Sequence, residues 1–405
     1  MIEKNEILQL AEGLGLSADT VEKDYVLGWI LHGISGHAHL GKNWLFKGGT
    51  SLKKCFFETF RFSEDLDFTI HAQSDLTAEF FVKAFHEIAD ALHEEAGIEF
   101  SKDMFKFKIL PKNDGKLSAQ GVIHYNGPLR RKQGVASIKI DLTTDEIVVL
   151  NSERRRVHHP YTDEPEKGIW STCYAFEEVI AEKIRALSQR ARPRDVYDVV
   201  HFFRNRDMIK SPQLVHNVLI KKCGYKKIPV PTYELIEKHE KLDELEGQWT
   251  NMLAHQLPNL PPLESFWKDI EPFFQWLNSN LQLEKIVPIV KADEEIFQPG
   301  RIANAYSTDT FLQKIQFAAA NRVCVELKYH DKIRSIEPLS FRRSRGGNRL
   351  FYGFERNSGQ VKAFALDKIQ GVQVTNNPYT EKDYPVEISP SGIVSMPPLR
   401  RRKTI

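Results

Sequence analysis

Residues 65–70 read Asp-Leu-Asp-Phe-Thr-Ile, and this strict alternation constrains the fold more than any other stretch of the chain. Successive side chains of a strand point to opposite faces, so Leu66, Phe68 and Ile70 must meet a core while Asp65, Asp67 and Thr69 share the other face. Two carboxylates one residue apart on a strand lie about 7 Å from each other and converge on one side, a spacing at which their oxygens bridge divalent cations. Taken alone, such a pair is more often an exposed strand face than a metal site. Fifteen residues upstream, however, Lys47-Gly48-Gly49-Thr50-Ser51 forms a turn between a short strand (Trp44-Leu45-Phe46) and a helix. There, unhindered backbone N–H groups and a helix N-terminus can hold phosphate.

The chain around this element is that of an ordinary globular protein. Its 405 residues, 41% hydrophobic and 27% charged, exclude wholesale disorder and suggest two or three domains, each with its own core. No apolar run reaches the roughly 18 residues of a spanning helix, and Met1-Ile2-Glu3-Lys4-Asn5 is no basic n-region, so membrane insertion and secretion are not expected. Cys55, Cys173, Cys223 and Cys324 form no CxxC pair, which argues against a disulfide framework or a cysteine-rich zinc site and points to a reducing cytoplasm. The net charge of +2 hides an asymmetry: residues 301–405 carry 18 Lys and Arg against 9 Asp and Glu, whereas residues 1–300 carry 38 against 45. A basic C-terminal module therefore follows an acidic body, suited either to a nucleic-acid or nucleotide ligand or to a plain solvated basic face.

Periodicity fills in an α+β fold. After Ser17 as N-cap, Val21, Tyr25 and Trp29 recur on one helix face. A helix from Leu52 to Phe60, a long helix near 75–96, and strands near 104–110, 119–125 and 136–142 complete an α+β core over 1–175. Residues 176–287 are mostly helical, and 288–310, with Pro299-Gly300, read as a linker. The stretch 311–390 changes to short alternating runs (Val323–Tyr329, Leu350–Phe354, Val361–Leu366, Gly371–Thr375) that suggest a small β-barrel, and 391–405 ends in the basic tail Arg400-Arg401-Arg402-Lys403.

Three further residues fit the carboxylate strand chemically. In Ser137–Leu142, Ile138, Ile140 and Leu142 share one face and Asp141 lies on the other. If this strand neighbours residues 65–70, three acids meet, an arrangement that repels itself unless cations are present. In the helix from Phe176 to Leu187, Lys183 falls inside the apolar arc of Phe176, Val179, Ile180, Ile184 and Leu187, so its ammonium needs a carboxylate or a bound triphosphate. Asp195 and Asp198 follow in Arg192-Pro193-Arg194-Asp195-Val196-Tyr197-Asp198. Asp195 is explained by the first turn of a helix, and Asp198, at the edge of the next apolar face, is the expected partner of Lys183 or of the metal-bound substrate.

Together KGGTSL (Lys47 to Leu52), RFSEDLDF (Arg61 to Phe68), the strand Asp141, and EEVIAEKIRAL followed by RPRDVYD (Glu177 to Asp198) resemble the AbiEii/AbiGii-type toxin nucleotidyltransferases of phage-defence and toxin–antitoxin loci. The resemblance spans about residues 15–287. It implies a polymerase-β-like nucleotidyltransferase fold with a helical extension, a nucleoside triphosphate substrate and Mg²⁺, with RNA, in particular the tRNA 3′ end, as acceptor and a cognate antitoxin as partner. By motif it assigns Gly48, Gly49, Thr50 and Ser51 to the triphosphate, Asp65, Asp67 and Asp141 to the metal, and Asp65, Asp67, Lys183 and Asp198 to catalysis. More loosely, Tyr329, Arg334, Pro338, Leu350-Phe351-Tyr352-Gly353, Lys362, Phe364, Leu366 and Ile369 resemble the layout of WYL domains, small SH3/Sm-like barrels, although the Trp-Tyr-Leu signature is absent. Arg334, Arg342, Arg343, Arg345 and Arg349 would then contact a nucleotide or nucleic acid, with Phe351 and Tyr352 stacking on a base. The rival readings are a transferase acting on a protein or small molecule, and a nucleic-acid-binding or ligand-sensing regulator with an inert transferase fold.

Overall fold

A computed structural model describes residues 1–57, 61–70, 77–111, 116–131, 134–279, 294–296, 310–344, 346–380, 386–389 and 392–395. The chain divides into two compact units, one of Met1–Pro258 with Trp267–Asn280 and one of Asn259–Phe266 with Leu281–Ile405. The basic residues 400–403, Arg345 and most of the expected linker lie outside the described residues.

The first unit is built on an eight-stranded sheet. Its strands are β1 (Trp44–Lys47), β2 (Asp65–Ile70), β3 (Glu99–Phe100), β4 (Lys106–Pro111), β5 (Leu117–Asn126), β6 (Ala136–Thr143), β7 (Glu153–Arg156) and β8 (Trp170–Cys173). They run in the order β3-β5-β6-β2-β1-β8-β7, with β4 also on β5. The β2–β6 and β1–β8 pairs are parallel and the β1–β2 and β5–β6 pairs antiparallel. The alternation of residues 65–70 does what it dictates: Leu66, Phe68 and Ile70 are buried, each apolar side chain contributing about 1.5–3 kcal/mol, and the carboxylates stay on the other face.

The helices of this unit are α1 (Lys4–Leu14), α2 (Ala18–Gly36), α3 (Leu40–Asn43), α4 (Gly48–Ser51), α5 (Ala78–Ala96), α6 (Phe176–Arg190), α7 (Pro193–Arg204) and α8 (Pro212–Lys226), followed by shorter ones up to Leu277. Ser17 caps α2 by accepting from the Thr20 N–H at 3.1 Å. Val21, Tyr25 and Trp29 enter one core with Phe46, Phe68, Phe81 and Ile140. α6 ends at Ala191 in the left-handed region (φ 42°), and Pro193 opens α7, so the chain reverses within three residues and packs α7 on α6.

Sequence reading misjudged the segment after β1. It is not a tight turn followed by a helix to Phe60: Gly48–Ser51 is already helical and runs into a π-helical turn, Leu52–Phe56, closed by the Phe57 N–H on the Leu52 carbonyl at 2.8 Å. Residues 58–60 lie outside the described part. The wider turn accompanies inward placement of Lys54, whose ammonium donates to the Asp24 carboxylate at 2.7 Å in the protein interior. Strands β7 and β8, too short to show a period, were also missed.

In the second unit a sheet of β9 (Glu294–Ile296), β10 (Val323–Tyr329), β11 (Lys332–Ser344), β12 (Arg349–Glu355), β13 (Gln360–Ala365) and β14 (Ile369–Pro378) has the order β13-β12-β11-β10-β14, with β9 on β11. The expected barrel is corrected here. The terminal strands β13 and β14 do not pair, and the sheet is open. Its apolar face is covered instead by the helix Thr310–Asn321, whose Ile315 and Ala318 pack with Val325, Leu327, Ile336, Phe351 and Phe364. β11 is not legible in the sequence because Pro338 and the charges around it interrupt the alternation.

Candidate active site

Pairing register brings the acids together. Asp67 on β2 lies opposite Lys47 on β1 and, on its other side, opposite Asp141 on β6, which in turn faces Gln120 on β5. Directly opposed residues share a face, so four strands present one row, Lys47, Asp67, Asp141, Gln120, and Asp65 stands beside it opposite Lys139. The Gln120 amide donates to Asp141 Oδ1 at 3.0 Å. Two carboxylates directly opposed are destabilising. Burial in the first place, and then Asp141 and Asp65, push the Asp67 carboxyl up to about 6, although Lys47 and Lys183 pull it down. Asp65 is also raised, mainly by burial, with Lys139 and Arg194 opposing.

The glycine turn touches this row from above. Gly48 has φ +78°, and a Cβ there would sit 2.1 Å from Asp67 Oδ2, so both its backbone conformation and its neighbour demand glycine. A Cβ on Gly49 would meet the Arg61 guanidinium at 2.9 Å. Thr50 and Ser51, expected to hold triphosphate, are buried, and their hydroxyls donate to the Asp65 carbonyl at 2.5 Å and the Gly48 carbonyl at 2.9 Å. In this arrangement they fasten the turn to β2 and leave its close approach to the glycines.

Lys183 does find a carboxylate: its Nζ is 2.8 Å from Asp198 Oδ2. The same carboxylate takes a two-pronged bond from Arg61, Nε to Oδ1 at 2.8 Å and Nη2 to Oδ2 at 2.9 Å, and Arg61 Nη1 donates to Gln256 Oε1 at 3.0 Å. Burial alone would raise the Asp198 carboxyl, but Arg61 and Lys183 reverse this and hold it below the usual carboxylate range. Removing one partner from so enclosed a pair costs about 3–5 kcal/mol, because the other charge is left without an answer. Asp198 is thereby occupied in holding two cations in place, and Asp195, also buried, is clasped by Arg190 at 2.7 and 2.8 Å. Lys47 is held from behind by Glu182 at 2.7 Å, and Glu182 is drawn down to about 2, burial being outweighed by Lys47 and Lys222.

Sequence reasoning therefore located Asp65, Asp67, Asp141, Lys183 and Asp198 in one neighbourhood but missed Lys47, Arg61 and Glu182. All three lie within stretches already singled out, Lys47 ahead of the glycines, Arg61 ahead of the acids and Glu182 next to Lys183; only the register and the fold give them partners. A cleft of about 440 Å³ opens beside Asp65, lined by Lys23, Glu64, Ser137, Lys139, Arg192, Arg194 and Met252. Among the described residues no three His, Cys, Asp or Glu side chains stand as a ready-made metal set. Asp65 and Asp67 nevertheless fit a divalent ion such as Mg²⁺ by donor chemistry: hard oxygens on one face, destabilised as anions, in the number this ion takes from a protein when phosphates and water complete its shell.

In the second unit the expected base platform is not met. Phe351 and Tyr352 are buried, and the guanidinium of the fully buried Arg342 lies 4.6 Å from the Tyr352 ring centroid. Arg334 is paired with Glu355 at 2.6 Å. Apolar packing accounts for Phe351 and Tyr352, and the two arginines are taken up by Glu355 and the Tyr352 ring.

The model of the family described as nucleotidyl transferase AbiEii toxin, type IV toxin–antitoxin system, matches residues 29–278. The chain belongs to this family of nucleotidyltransferase toxins. Among solved structures it is similar to MenT4, a nucleotidyltransferase toxin from Mycobacterium tuberculosis H37Rv, at 19% identity and a TM-score of 0.48 over 70% of this chain and 91% of that one. It is also similar to JHP933 from Helicobacter pylori, at 16% identity and a TM-score of 0.41 over 65% and 93% of the two chains. A comparison with curated proteins finds no match. No helix among the described residues is long and apolar enough to cross a membrane.

Proposed function

We propose that the protein transfers a nucleoside monophosphate from a nucleoside triphosphate to RNA, with the tRNA 3′ end as acceptor, and releases pyrophosphate. The observation that carries this reading is the placement of Asp65 and Asp67 on one strand face beneath Gly48, with Lys47 and Lys183 close enough to act on Asp67 electrostatically. An acceptor hydroxyl attacks the α-phosphorus and the bond to the bridging oxygen of the β-phosphate breaks; the protein's part is positioning and charge neutralisation. Asp65 and Asp67, with Asp141 alongside, would hold Mg²⁺, which when bound neutralises phosphate charge. The Gly48-Gly49 backbone admits the triphosphate closely, and Lys183, aimed by Asp198 and through it by Arg61, neutralises it. Such an activity on tRNA stops growth, which fits a toxin of a phage-defence or toxin–antitoxin pair with a cognate antitoxin. For the second unit the reading is a nucleotide or nucleic-acid ligand, with Arg343 and Arg349, opposite each other on β11 and β12, as its basic pair.

Incubating the protein with α-labelled nucleoside triphosphates, Mg²⁺ and total RNA tests this directly. Label transferred to RNA, and lost in Asp65→Ala, is the expected result. Label on protein or on a small molecule would replace the acceptor, and no transfer at all, with growth inhibition removed by Arg343→Glu but not by Asp65→Ala, would make the chain a regulator.

A further inference from the structure

The cations around the two carboxylates fall into two sets. Asp67 is opposed by Lys47 across the β1 side, and Asp65 by Lys139 across the β6 side. Lys183 stands with Lys47 near Asp67, and Arg194 lines the cleft beside Asp65 with Lys139. The first set is answered within the protein, Lys47 by Glu182 and Lys183 by Asp198. The second is not. In the cleft beside Asp65, the side chains of Lys139, Arg192 and Arg194 donate no hydrogen bond and form no ion pair among the described residues, and the Arg194 Nε is buried without an acceptor. The other acid of the cleft, Glu64, is taken up by Lys23 and His255, each at 2.9 Å. A half-buried guanidinium with an unanswered donor, beside two exposed cations in a cavity of about 440 Å³, has the donors and charge that suit a phosphate.

We propose that this cleft is a second phosphate subsite, separate from the glycine turn, in which Lys139, Arg192 and Arg194 hold backbone phosphates of the acceptor strand beside Asp65. The proposal rests on the nucleotidyl-transfer reading above and deepens it. In-line displacement puts the attacking and leaving oxygens on opposite sides of the α-phosphorus. The pyrophosphate therefore leaves toward one set of cations while the acceptor enters past the other, and the two sets flank β2 on opposite sides. Phosphate contacts of this kind position a strand without reading its sequence, so the subsite accepts any single-stranded 3′ end that reaches it.

The two sources of phosphate, acceptor and triphosphate, are separated by measuring both affinities on the full-length protein. Binding of a labelled single-stranded RNA oligonucleotide is followed across a salt series, and binding of a non-hydrolysable nucleoside triphosphate with Mg²⁺ is followed in parallel. In Lys139→Gln/Arg194→Gln the slope of log affinity against log salt becomes shallower by about 1.4, roughly 0.7 per lost contact, and RNA binding weakens roughly 25-fold at 0.1 M salt. Triphosphate affinity stays within about twofold. Lys139→Gln/Arg192→Gln, which alters two exposed side chains only, gives the same pattern and guards against a folding defect at Arg194. Loss of triphosphate affinity with an unchanged RNA slope overturns the proposal, because the phosphates then belong to the nucleotide; no change in either measurement overturns it as well. Label transfer by the unaltered protein reads the function separately: if it labels RNA while the variants keep their RNA slope, the subsite fails and the function stands.

Discussion

Asp67 is the residue at which stability and function pull apart. Its carboxyl is pushed up to about 6, against an ordinary value near 3.8, so the folded state binds its proton more tightly than the unfolded one does. Stability from this group is present at low pH and is lost as pH rises from about 4 through 6; above that the folded protein carries an anion it disfavours. Asp67→Asn should thus abolish nucleotidyl transfer while raising stability at pH 8 by about 1–2 kcal/mol, less than the full shift because the side chain keeps some solvent contact. Urea unfolding of the variant alongside the label-transfer assay checks both halves, and a destabilised variant would contradict the burial argument. This residue was legible in the sequence from alternation alone, whereas Arg61 was not. A charged side chain next to a strand reads as solvated, and only the enclosed Asp198 turns it into an interior clamp.

At the scale of the element, the decisive piece is the nine-residue passage Gly48–Phe56, an α turn continuing into a π turn. A side chain at Gly48 meets two obstacles, the left-handed φ of +78° and the Asp67 carboxylate 2.1 Å from a Cβ. Gly48→Ala is expected to lose about 1–3 kcal/mol in chemical denaturation and to depress transfer at least tenfold by displacing Asp67, since misplacing a reacting group by about 1 Å costs on the order of 10²-fold. The same substitution at Gly36, where a Cβ meets nothing within 4 Å, should do neither. The strands with unbroken alternation, β2 and β6 among them, were legible because period two is a strong local signal. The π turn was not, because its wider hydrogen bond leaves no spacing in the sequence that distinguishes it from a helix.

Across the whole molecule, two enclosed histidines set the acid limit. Burial holds His201 down at about 3 and His159 well below its usual range, so both are neutral in the folded protein while the unfolded chain protonates them near 6.5. Their contribution is intact above pH 6.5 and is lost as pH falls toward 3; at pH 5 His201 alone removes about 2 kcal/mol. A thermal midpoint that falls between pH 7 and 5, and falls less in His201→Gln, is the expected measurement. By itself the sequence determined the strands and helices whose period is regular, that Asp65 and Asp67 share a face, and that Lys183 needs a carboxylate, because these follow from local periodicity and from the cost of an unpaired charge. Only the tertiary structure decided that β6 lies against β2 with Asp141 opposite Asp67, that Arg61 reaches Asp198, and that the second sheet stays open under a helix. Register and long-range pairing are settled by packing between segments far apart in the chain, 137 residues in the case of Arg61 and Asp198, and no local pattern encodes that choice.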